Sequence, residues 1–119
     1  MKPMRGLWAG LCLGLSGCGV TGTWSLATVD PIAATRDVEF HTLRMEQDGS
    51  FYAESKEERE GGIASTSGVY TFDDGVLHLK EHDGERHTYD ARLENSAQEL
   101  CLERTWNGRK LKMKYDRRG

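Results

Sequence analysis

Ser67-Gly68-Val69-Tyr70-Thr71-Phe72-Asp73-Asp74-Gly75-Val76-Leu77-His78-Leu79 decides how this chain folds. Tyr70 and Phe72 before Asp74-Gly75, and Leu77 and Leu79 after it, place an apolar residue at every second position. That period of two belongs to a strand with one dry and one wet face. Asp-Gly tolerates the left-handed backbone pair that a two-residue hairpin needs. The segment is therefore a β-hairpin.

The same rhythm extends in both directions. Asp48-Gly49, Gly61-Gly62, Asp83-Gly84, Asn95-Ser96 and Asn107-Gly108 also separate alternating runs, at intervals of nine to thirteen residues. Even spacing of this kind marks an all-β sandwich or barrel. Strands are predicted over 23–29, 37–46, 51–57, 63–72, 76–82, 86–93, 99–106 and 109–116. The fold class is all-β: about eight strands in a small antiparallel up-and-down barrel, the last strand pairing with the first. Parity points Trp24, Leu26, Phe40, Phe51, Ala53, Tyr70, Phe72, Leu77, Leu79, Tyr89, Ala91, Leu93, Leu100, Leu102, Leu111, Met113 and Tyr115 inward. It points Glu54, Lys80, Asp90, Arg92, Lys110, Lys112 and Lys114 to water. Glu54 to Glu60 (ESKEERE) reads as a solvated hairpin end.

Ahead of the first strand lies a different kind of sequence. Lys2 and Arg5 give a short positive start, and Gly6 to Leu15 is apolar but too short to span a bilayer as a helix. Leu15-Ser16-Gly17-Cys18 then resembles the bacterial lipobox, an aliphatic residue and two small ones before a cysteine. The resemblance implies a signal peptide over 1–17, cleavage before Cys18, and a diacylglycerol thioether with added acyl chains such as palmitate on Cys18. Several acyl chains anchor stably where one does not. Gly19 after the cysteine resembles lipoproteins of diderm bacteria that are sent to the outer membrane, facing the periplasm. The mature domain is then 18–119.

Composition fits a single soluble domain. The full chain of 119 residues has net charge −3; removing Lys2 and Arg5 leaves 14 basic against 19 acidic residues, or −5. That balance speaks against nucleic acid as a partner. Of three cysteines, Cys12 lies in the signal segment and Cys18 carries lipid, so Cys101 alone stays a thiol and no internal disulfide can form.

Gly22-Thr23-Trp24 at the head of the first strand resembles the lipocalin-like branch of the calycins, whose first strand carries Gly-x-Trp. Ser67 to Leu77 resembles the Gly-x-Tyr-x-Phe strand, turn and apolar strand of small bacterial lipocalin-like domains. The resemblance implies that Trp24 packs across the closed end of the barrel under a basic residue of a late strand. Arg104, sharing parity with Leu100 and Leu102, is the candidate for that cation. This chain is shorter than a full lipocalin and lacks its C-terminal helix and disulfide.

Chemistry-bearing constellations are few. His78 and His82 share parity on one strand but lie about 13 Å apart, too far for one zinc ion. Exposed cross-strand pairing explains the histidines better, and no metal or other cofactor is expected. Cys101 has outward parity and no neighbouring histidine, and the acidic residues read as turn and outward charges, so no enzyme activity is expected. Trp24, Phe40, Phe51, Tyr70 and Tyr89, with Arg104, are the candidate ligand-binding set. The competing reading, a narrow barrel filled by those side chains, suits so small a chain better. Lys110, Lys112 and Lys114 alternate with Leu111, Met113 and Tyr115 to form an outward basic row. The row either contacts anionic head groups or a partner, or protects a strand from edge-to-edge pairing.

The sequence thus reads as an envelope-anchored lipoprotein acting as a binding module for a small apolar ligand or an envelope partner protein. Alternatives are an inhibitor of a lysozyme-type hydrolase, a pilotin-like accessory of a secretion or motility machine, and a structural lipoprotein without ligand.

Overall fold

Eight strands follow one another around a closed antiparallel barrel in the computed structural model, which describes residues 19–56 and 63–118. They are β1 (Gly22–Asp30), β2 (Thr42–Met45), β3 (Ser50–Lys56), β4 (Ile63–Asp73), β5 (Val76–Glu81), β6 (Arg86–Glu94), β7 (Glu99–Trp106) and β8 (Arg109–Arg118). The signal segment, Cys18 and the Gly61-Gly62 turn lie outside the described residues. The small up-and-down barrel expected from alternation is therefore the observed one. Asp74-Gly75 and Asn107-Gly108 adopt left-handed pairs, with φ of 56° and 78° and of 51° and 76°, as their two-residue hairpins require. Closure comes from β1 pairing with β8, from Thr23 opposite Arg118 to Asp30 opposite Lys112, with a bulge between Leu26 and Thr28.

Strand parity sorts the side chains as the alternation predicts. Trp24, Phe51, Ala53, Tyr70, Leu77, Leu79, Leu100, Leu102, Leu111, Met113 and Tyr115 are buried, and Leu26, Phe72 and Leu93 pack partly buried against them. The predicted strand over 37–46 needs correction. Only Thr42–Met45 is strand; Ile32–Asp37 forms a short 3-10 helix, and residues 38–41 cross into the barrel mouth. Phe40 is buried as expected, but from this inserted segment rather than from a ladder, along with Ala34 and Val38. Pro31 lacks the N–H a continuing ladder needs, and its carbonyl instead accepts from Ala34 N at 2.9 Å.

Alternating chain direction gives the barrel two unlike ends. Residues 19–22, the β2–β3, β4–β5 and β6–β7 turns and the end of β8 gather at one. The β1–β2 connection, the end of β3, the start of β4 and the β5–β6 and β7–β8 turns gather at the other.

Gly68 sets the approach of two strands on the way to the second end. It pairs with Phe51 on one side and Glu81 on the other. A Cβ there would collide with the Lys80 carbonyl oxygen and lie 2.8 Å from the Glu81 Cα. Backbone, unlike a flexible side chain, cannot swing aside. Gly68→Ala is therefore expected to cost about 2 kcal/mol or more through forced separation of β4 and β5. A urea titration checks this, with the midpoint falling and the slope unchanged.

Candidate functional site

Arg117 organises the closed end. It stands opposite Trp24 in the β1–β8 ladder, and its guanidinium carbon lies 4.3 Å from the centre of the fully buried indole. Nη1 donates to Thr21 O at 2.8 Å, Nη2 to Gly19 O at 3.2 Å, and Nε to Ala97 O at 3.0 Å. The indole Nε1 donates in turn to Val20 O at 2.8 Å. Gly22 is needed for this crossing, since a Cβ there would lie 2.6 Å from Arg117 Nη1 and its φ is +132°. Arg117 also holds the β6–β7 turn, where Asn95, Ser96 and Ala97 are successively left-handed. The cation over Trp24 is thus Arg117, not Arg104. Late-strand parity admits both, and only the β1–β8 register selects the one facing Trp24.

Arg104 works at the opposite end. It clamps both oxygens of Glu39, with Nε 3.2 Å from Oε1 and Nη2 3.0 Å from Oε2, and Nη2 also donates to Asp37 O at 2.7 Å. Tyr89 Oη donates to the same carboxylate at 3.1 Å, and Trp106 Nε1 donates to Asp37 Oδ2 at 2.7 Å. Tyr115 Oη donates to Phe40 O at 2.7 Å. The 3-10 helix and the residues after it are thereby fastened over the barrel as a plug. Burial first, then the Glu39 charge, pushes the phenols of Tyr89 and Tyr115 well above the ordinary tyrosine range.

Beside the plug, the same end holds a cup of about 230 Å³ open to solvent. Phe40 and Ala53 form its buried floor, and Ser55, Ala64, Thr66 and Glu81 its wall. Glu81 shares inward parity with Leu77 and Leu79, and its side chain is only 14% exposed. Its Oε1 accepts from Thr66 Oγ1 at 2.8 Å, and its Oε2 lies 2.6 Å from His87 Nε2. The His87 ring meets Phe40 edge-on, with centroids 5.0 Å apart. A small carboxylate-bearing pocket with an apolar floor is the chemistry on offer.

Of the candidate ligand set, Phe40 lines this cup. Trp24 lies at the closed end, Phe51 and Tyr70 belong to the filled core, and Tyr89 and Arg104 hold the plug. Glu81 and His87 do not stand out in the sequence, although their parity with Leu79 and Tyr89 marks them as inward. The reading of acidic residues as turn and outward charges is likewise corrected for two of them: Glu81 faces in and Glu39 is clamped at the mouth, whereas Glu103 is outward as expected though covered by its ion pairs.

The outward basic row is woven into carboxylates. Lys110 Nζ lies 3.5 Å from Glu103, and Lys114 Nζ lies 3.6 Å from Glu94 and 3.8 Å from Glu99. Lys112 stands exposed, opposite Asp30 and Glu103. Arg92 bridges Glu94 at 2.6 Å and Glu103 at 2.9 Å, and its hydrogen bonds pull both carboxyls below their ordinary range. Cys101 has the outward parity expected, yet is buried between its ladder partners Arg92 and Lys114, and burial raises its thiol. His78 pairs with Thr88 across the hairpin at 3.3 Å. No cluster of metal-ligating side chains occurs among the described residues.

The fold has known counterparts. A lipocalin-like protein from Bacteroides uniformis superposes with a TM-score of 0.56 and 17% identity, covering 84% of this chain and 99% of that one. An uncharacterized protein from Bacteroides eggerthii gives 0.54 and 15%, covering 82% and 98%. Fatty-acid-binding protein 1 of Echinococcus granulosus gives 0.48 and 14%, covering 85% and 98%. No family model and no curated sequence matches. The chain therefore has a lipocalin-like fold.

Two outcomes follow from the two ends. Arg117→Met removes the ring contact and three hydrogen bonds and is expected to cost about 2–4 kcal/mol. Arg117→Lys restores the charge but not the fork and recovers only part, as tryptophan-monitored urea unfolding will show. At alkaline pH the sign runs against folding. Tyr89 and Tyr115 stay protonated in the barrel, while the unfolded chain releases their protons near pH ~10. Stability is full below that point and falls as pH rises above it, by about 1.4 kcal/mol per pH unit for each. Tyr115→Phe is expected to flatten that decline in denaturant titrations across the alkaline range.

Proposed function

We propose that this chain is an envelope lipoprotein, anchored through Cys18, whose barrel binds a small molecule or one end of a longer one in the cup beside the plug. The observation that carries this reading is the cup itself, an opening with an apolar floor and a polar wall beside a core of buried side chains. Its volume of about 230 Å³ suits a short ligand and is below the usual range for drug-sized molecules, roughly 300–1,000 Å³. Binding rather than catalysis fits a site whose histidine and threonine are both turned onto the carboxylate, so that neither is paired with a nucleophile.

The orientation of the two ends supports the same reading. Gly19, the first described residue, is tied by Arg117 to the closed end, and the cup opens at the other. A lipid on the preceding residue would leave the mouth facing away from the bilayer, toward the aqueous compartment. In a diderm cell that compartment is the periplasm and the membrane the outer one.

Two measurements test the proposal. Cys18→Ser in the full chain is expected to abolish incorporation of labelled palmitate and to move the protein from the membrane to the soluble fraction; continued membrane association overturns the anchor. Native mass spectrometry of protein taken from its own envelope is expected to show a retained small ligand. Ala64→Trp fills the cup from its exposed wall and is expected to remove that ligand with the unfolding midpoint unchanged.

A further inference from the structure

Resting on the cup as the binding site, we infer that its ligand is a short primary amine, held by its ammonium group on Glu81. The wall of the cup carries one charged side chain, Glu81, and that group is a carboxylate. Each of its oxygens spends one acceptor site inside the protein, Oε1 on Thr66 and Oε2 on His87. A carboxylate oxygen has a second lone pair, so acceptor capacity is left over where the carboxylate borders the cup. Ser55 also lines the cup and adds polar character to its rim. An ammonium group has three donors and no acceptor, which suits a carboxylate with acceptor sites to spare.

The charged pair of the plug is already matched. Arg104 is the cation that holds the plug, and Glu39 satisfies it through both oxygens. An anionic ligand would have to break that clamp or lie against Glu81. His87 meets the carboxylate through Oε2 alone, which leaves Oε1 shared only with Thr66. The carboxylate is also already oriented: Thr66 and His87 fix its plane, so an incoming ammonium orders no flexible side chain. Phe40, Ala53 and Ala64 leave apolar room for a short tail beyond the head group.

Three probes with one tail separate head-group chemistry from tail burial. Hexylammonium, hexan-1-ol and hexanoate are titrated into the purified chain and followed by amide chemical shifts. The proposal expects hexylammonium to move Ser55, Thr66 and Glu81, and to bind at least about tenfold more tightly than hexan-1-ol. It expects Glu81→Gln, which keeps the shape and loses the charge, to bring the two to equal affinity. Equal binding of amine and alcohol by the unaltered chain overturns the amine assignment while leaving the cup as a binding site. Preferred binding of hexanoate overturns it in favour of Arg104 after release of Glu39. If none of the three shifts the cup residues, the amine assignment fails, and a ligand retained from the envelope then decides separately whether the cup binds at all.

Discussion

Ring closure between β1 and β8 is the constraint from which the rest follows. Eight strands fix an interior about wide enough for one filling of side chains. Every inward position must then match its neighbours in volume, because a closed ring cannot collapse around a deficit. Leu43, Met45, Phe51, Tyr70, Leu77, Leu79, Leu100, Leu102, Leu111, Met113 and Tyr115 meet that demand through most of the barrel. The far halves of β3 and β4 do not: their inward positions hold Ala53, Ser55, Ala64, Thr66 and Gly68. Space appears where the side chains shrink, and the cup is that space.

The two ends solve opposite problems with the same side chain. At the closed end Arg117 faces backbone carbonyls that no strand can use, and gathers three of them over an indole. The chain entering from the N-terminus and the left-handed β6–β7 turn are held by one guanidinium. At the open end Arg104 faces a carboxylate, and its flat fork takes both oxygens of Glu39. The longest connection in the barrel is thereby folded inward, so that Val38 and Phe40 finish the core and Phe40 becomes the floor of the cup. Gly68 links packing to chemistry: the close approach of β4 and β5 that it permits brings Glu81 within reach of Thr66.

Charge on the outside of β6, β7 and β8 is arranged as an alternating lattice. Arg92, Lys110 and Lys114 each reach carboxylates on neighbouring strands, and Glu103 sinks beneath two of them. Exposed ion pairs contribute little singly, typically below about 1 kcal/mol. Their collective effect here is to cover the wall with long side-chain stems, and Cys101 is buried under them on the outer face. The alternation also gives the barrel wall no unbroken basic stripe.

Short-range order determined the architecture from sequence alone. Asp-Gly and Asn-Gly pairs fix hairpins locally, and period-two alternation fixes which side chains face in, so strand limits and core were legible for β3 to β8 almost to the residue. The lipobox likeness and the Gly-x-Trp opening are equally local signals. What sequence could not supply was register across the ring and the path of the β1–β2 connection, because both depend on contacts between residues far apart in the chain. Arg104 and Arg117 look alike by parity, and only the ladder says which lies over Trp24. Glu81 and His87 carried the right parity, but charge placed them at the surface until the shortage of bulk around them made an interior open to water. The tertiary structure decided the site for that reason: a cavity is a property of several strands at once.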